Sequence, residues 1–129
     1  MQDQPSAAEL LRAVNDFLRE RVLPQLEGHA AFHGRVAANV LDIVRRELET
    51  APETNAAEHA RLTELLNEKG TLDDLNRALC RRIRSGELGM DTPGLVDHLW
   101  ETTLTKVSID QPKYATYRRV MANRPASPE

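Results

Sequence analysis

Between its proline and glycine breaks this chain repeats apolar residues at intervals of three and four, and nowhere sustains the two-residue alternation of a half-buried strand. That rhythm limits the fold to packed helices. Ser6 with Glu9 forms a capping box after Pro5, and Leu10, Leu11, Val14, Phe17, Leu18 and Val22 follow at helical spacing, so a first helix is expected from about Ala7 to Leu23. Pro24 and Gly28 break or kink the chain across "LPQLEG". A second helix is expected from about His29 to Thr50, and Pro52 separates it from a short third helix in "AAEHARLTELLNEKG" that Gly70 ends. Thr71 with Asp74 caps a fourth, stopped at Ser85-Gly86. Thr92 as cap and Pro93 at the first helical position start a fifth, which Pro112 interrupts. Asp110 is placed to cap a last short helix from Tyr114 to Met121.

These elements, joined by short loops, predict one all-α domain, a single compact bundle of five or six helices over residues 1–122 with a flexible tail at 123–129. A chain of 129 residues buries roughly two-thirds of its unfolded surface. Aromatic residues are scarce: two Phe, two Tyr and one Trp leave the core to Leu, Val and Ala. The first two helices and the helix carrying Trp100 are expected to build that core, with Trp100 buried on the stripe of Val96, Leu104 and Val107.

A net charge of −3 lacks the basic excess that binding to phosphate backbones requires, so nucleic acid is not an expected partner. The single cysteine, Cys80, suits a reducing compartment. "MQDQPSAAELL" is acidic where a signal peptide is basic and then apolar, and no run of residues is apolar enough to span a bilayer. The expected location is the cytoplasm, with no membrane contact.

The most informative stretch is "FHGRVAANVLDIVRREL". Phe32, Val36, Val40, Ile43, Val44 and Leu48 form one helix side, Arg35, Asn39 and Arg46 follow an edge of it, and His33 and Glu47 fall near its middle. Two readings of Arg35, Asn39, Arg46 and Glu47 are open. They form a structural clamp at a helix crossing, with Glu47 ionised against an arginine, Asp97 and Glu101 as further partners, and Asn39 bridging toward the "SIDQP" joint. Alternatively they form a surface that recognises a partner or an anion. His29 and His33 have the i, i+4 spacing of two metal ligands without a placed third, so no metal and no cofactor is assigned. Arg77, Arg81 and Arg84 share a side while Arg82 turns away, a solvated face or a contact for phosphate or an acyl carrier. Cys80 reads as structural, and no phosphate loop, nucleophile elbow or paired-cysteine zinc pattern is present.

"QPSAAELLRAV", "FHGRVAANVLDIVRREL" and "KVSIDQPKYATY" together resemble a family of small bacterial proteins with a domain of unknown function, from Pro5 to about Val120. Members of that family are typically encoded beside an aminoglycoside-phosphotransferase-like kinase and an acyl-CoA dehydrogenase-like enzyme. The resemblance extends to the small companion of the kinase that phosphorylates 4-hydroxyacyl-CoA in levulinate catabolism. It implies a non-catalytic accessory subunit of such a kinase, with the acyl-CoA dehydrogenase-like enzyme as a second partner, and assigns no catalytic residue. Two other readings are a helical bundle that holds an acyl chain or CoA between its helices, and an enzyme using His29, His33 and Glu47. A continuous apolar cavity would favour the first of these over a solid core with an exposed apolar patch.

Overall fold

The computed structural model describes residues 4–124, and the last five residues of the expected tail lie outside them. Among the described residues the protein is all-α, with five α-helices and no strand: α1 (Ala7–Phe17), α2 (Gly28–Leu66), α3 (Leu72–Ser85), α4 (Leu95–Asp110) and α5 (Ala115–Ala122). The chain divides into two compact units that meet at Pro52 and Glu53, inside α2.

Both capping boxes form. The Ser6 hydroxyl accepts from the Glu9 amide while the Glu9 carboxylate accepts from the Ser6 amide at 2.7 Å, and Thr71 and Asp74 repeat the exchange at the start of α3. Amide and hydroxyl donors on a carboxylate favour its ionised form, and both Glu9 and Asp74 are held below their ordinary pKa. Gly86 ends α3 in the left-handed conformation that an L side chain resists.

Five boundaries differ from the expectation. The first helix continues past Phe17 as a π-turn (Leu18–Val22), where the Leu23 amide bonds the Leu18 carbonyl five residues back, and then as a 3-10 turn (Leu23–Gln25) that takes Pro24. The expected second and third helices are one helix that passes through Pro52. Pro52 and Leu48 are both exposed, so water can take up the Leu48 carbonyl that proline leaves without a donor, and the Thr50 hydroxyl bonds the Arg46 carbonyl at 2.8 Å beside it. The stop is Asn67, at φ 49°, rather than Gly70. Thr92 and Pro93 form a turn before α4 instead of its first residues, with Gly94 as N-cap at φ 81°. Asp110 closes α4, and Tyr114 precedes α5 with no side-chain cap.

In the second unit Leu62 and Leu66 of α2, Leu75, Ala78 and Leu79 of α3, and Leu95 of α4 form the buried cluster, joined by half-buried Leu65, Leu72 and Leu88. Arg82 turns away from the other α3 arginines, as its spacing predicts, and fastens the end of α2. It donates to the Leu66 carbonyl at 3.3 Å and pairs with Glu68 and Glu87. His59 holds the same connection by donating to the Gly70 carbonyl at 2.8 Å.

The first unit is built differently. The side of α2 that carries Ala31, Gly34, Ala38 and Asp42 faces α1 and the turns after it, and Ala31 and Ala38 are buried. A Cβ on Gly34 would lie 2.6 Å from Leu23 Cδ2, so the bare glycine lets the chain pass closely here. On α2 this contact is made by small residues and a polar side chain, half-buried Leu11, Leu18, Leu23 and Leu26 lie on the facing side, and Leu10, Val14 and Phe17 of α1 and the valines of α2 stay exposed. The buried leucine cluster draws its members from the end of α2, from α3 and from Leu95 of α4. Trp100 is 51% exposed rather than buried, although Leu104, one turn further along the same stripe, is buried.

Candidate functional site

The outer side of the first unit is the feature that ordinary packing does not explain. On α1, Leu10, Val14 and Phe17 are 42%, 51% and 59% exposed; on α2, Phe32, Val36, Val40, Val44 and Leu48 are 38–56% exposed. Helical geometry puts each set on the side of its helix away from the contact between them, which runs through Asn15 on α1 and Ala38 on α2. The two sets are therefore separate faces, of three and five large apolar side chains, and each is a candidate interaction surface, since monomeric proteins rarely leave large contiguous apolar patches open.

The polar clamp exists, with different members from those expected. The Asp42 carboxylate is its centre: Oδ1 accepts from Asn15 Nδ2 at 2.8 Å, Oδ2 accepts from Arg19 at 2.7 Å, and Arg45 lies 3.8 Å away. Arg45 also bonds Glu49 at 2.8 Å, and Arg12 reaches the same carboxylate at 3.4 Å. Of the four residues singled out in the sequence, Asn39 joins this network, accepting from Arg19 at 3.0 Å. Arg46 is half-buried on the same helix, while Arg35 and Glu47 are exposed. Glu47 makes no hydrogen bond or ion pair among the described residues, so it is not the expected ionised partner of an arginine. Glu101, in the second unit, pairs with Arg124 at 2.6 Å. Asn15, 5% exposed, is the member that sequence reasoning missed, although an Asn amid the apolar spacing of a first helix was the available signal.

Three other features can do less. His29 and His33 approach to 3.0 Å between their Nε2 atoms, but no group of three His, Cys, Asp or Glu that could hold a metal occurs among the described residues. On α3 an open groove of about 370 Å³ is lined by Asn76, Arg77, Cys80, Arg81 and Arg84, and Arg77 is paired with Asp73 at 2.9 Å. In the second unit a cavity of about 500 Å³ is bounded by Arg61, Glu64, Asp97, His98 and Glu101.

His98 is 3% exposed, and its Nδ1 makes no hydrogen bond among the described residues. Burial pushes its pKa below the ordinary histidine value, the Arg61 charge adds to this, and Glu58 opposes it. A depressed histidine pKa means that the unfolded chain binds the proton better. Stability is then complete above the ordinary pKa of 6.5 and is lost as pH falls below it toward the folded value. The melting temperature is expected to drop between pH 7 and pH 5.5 by more in the wild type than in His98→Gln; equal drops would place the proton uptake elsewhere.

Fold and site together define an all-α protein with no helix long and apolar enough to cross a membrane among its described residues, and with its largest apolar side chains turned outward in the first unit. The chain belongs to the family of the domain of unknown function DUF6285, whose model matches residues 24–114. No catalytic family is found in it. No curated protein and no solved structure matches the chain significantly.

Proposed function

We propose that this chain is a non-catalytic accessory subunit of the cytoplasm that docks on, and supports, an aminoglycoside-phosphotransferase-like kinase acting on hydroxyacyl-CoA. An acyl-CoA dehydrogenase-like enzyme is the second partner in this reading. The supporting observation is the pair of open apolar faces on α1 and on the first half of α2. The partner's identity rests on the resemblance of "QPSAAELLRAV", "FHGRVAANVLDIVRREL" and "KVSIDQPKYATY" to companions of such kinases. The leucine cluster of the second unit favours this reading over an acyl or CoA binder, because Leu62, Leu66, Leu75, Leu79 and Leu95 are each 4% exposed or less and fill the space between helices.

Co-expression with the neighbouring kinase tests it. The two proteins are expected to co-purify, and kinase activity is expected to rise when this protein is added. Val14→Asp and Phe17→Asp change exposed positions and are expected to leave the melting temperature within about 2 °C while abolishing co-purification. A kinase equally active alone that never co-purifies would sink the proposal.

A further inference from the structure

We infer that the exposed face of α2 between residues 32 and 48 is where a second copy of this chain binds, antiparallel, about a two-fold axis at Val40. The inference concerns one of the two faces above and leaves the outer face of α1 for the partner protein.

The argument starts from symmetry along the helix. Phe32, Val36, Val40, Val44 and Leu48 follow one another at intervals of four, and the set is unchanged in apolar character when reversed about Val40. In an antiparallel pair centred there, residue 32 lies against 48 of the other copy, 36 against 44, and Val40 against itself. An isologous two-fold contact requires this self-complementarity, because the same patch must serve as both surfaces.

Charge agrees with the same register. His33 and Glu47 are the two titratable residues near the middle of this face, and they lie seven residues on either side of Val40. The antiparallel pair therefore sets each copy's His33 against the other copy's Glu47, twice over. Glu47 has no partner among the described residues, and His33 Nε2 stands 3.0 Å from His29 Nε2 at the other end of the face. A parallel pair would set Glu47 against Glu47 instead, a like-charge contact that opposes association.

Area is sufficient. Five side chains, each 38–56% exposed, present a patch of the size that marks an interaction site, and two such patches with their rims bury on the order of 1,000 Å² in total, the level that specific contacts clear. The opposite side of this stretch is already occupied by the contact with α1, so pairing through it costs the fold nothing.

Sedimentation of the protein alone, without the kinase, is expected to give a dimer at micromolar concentration. Val40→Glu, at a position 49% exposed, is expected to give a folded monomer with unchanged helix content. Glu47→Lys is expected to weaken the dimer about tenfold, the sum of two exposed pairs, with recovery on adding His33→Glu. In a Cys80→Ser background, Val40→Cys is expected to form a disulfide with its own copy. Val36→Cys is expected to cross-link only with Val44→Cys, because residue 36 and its copy stand about 12 Å apart along the axis. A monomer at high concentration, a dimer indifferent to Val40→Glu, or self-linking of Val36→Cys would each overturn the inference. None of these results depends on whether a kinase binds, so failure here leaves the accessory-subunit reading to its own experiment.

Discussion

Leu62→Ala is expected to cost about 3–5 kcal/mol and to lower the melting temperature by roughly 10 °C. Leu62 is fully buried among Leu66, Leu75, Ala78, Leu79 and Leu95, so truncation removes apolar surface from the core and leaves a cavity that leucines on three helices must close around. Relaxation is hindered because both ends of this cluster are pinned: the Thr71–Asp74 capping box fixes the start of α3, and Arg82 ties its later turns to the end of α2. Truncation at Met90, 80% exposed and outside both apolar faces, is expected to change stability by less than about 0.5 kcal/mol. Urea denaturation of the two variants side by side provides the measurement. Similar losses would mean that the core does not lie in the second unit.

Asp42→Ala is expected to destabilise the first unit by about 2–3 kcal/mol. Its carboxylate accepts from Asn15 and Arg19 at 2.8 and 2.7 Å, and Asn15 is 5% exposed, so removing the acceptor leaves a buried amide without a partner. The charge itself contributes the smaller part, because the Asp42 side chain is 28% exposed and that of Arg19 39%, and solvent screens the pair. The double variant Asn15→Leu/Asp42→Leu is expected to recover most of the loss, since replacing both partners by apolar groups removes the desolvation cost along with the bond. Glu47→Ala, five residues further along α2, is expected to leave stability within about 0.5 kcal/mol. Loss of helical signal in urea reads both. A double variant no better than Asp42→Ala would show that the network fixes geometry that leucine cannot supply.

The sequence pointed to a clamp on this helix but chose its members by their position along an apolar stripe. That choice assumed that the stripe faces the core. In the structure the stripe faces outward and a clamp forms on the opposite side, centred on Asp42 with Arg45 beside it, and Asn39 is a member that the sequence had singled out. Amphipathic spacing shows that two sides of a helix differ. It does not show which side meets a neighbour, because small residues such as Ala31, Gly34 and Ala38 carry little hydropathy and still allow the closest approach.

The sequence by itself determined what local chemistry controls. The all-α class, both capping boxes, the left-handed stop at Gly86 and the separation of Arg82 from its neighbouring arginines all follow from backbone donors, side-chain acceptors and a period of 3.6, which act within a few residues. Tertiary structure decided the rest. Pro52 could sit inside α2 because the Leu48 carbonyl it frees lies at the surface, and the valines of α2 were left open because α1 packs against the alanines. Each of these depends on which groups from distant parts of the chain compete for the same side of a helix, and no period within one segment records that competition.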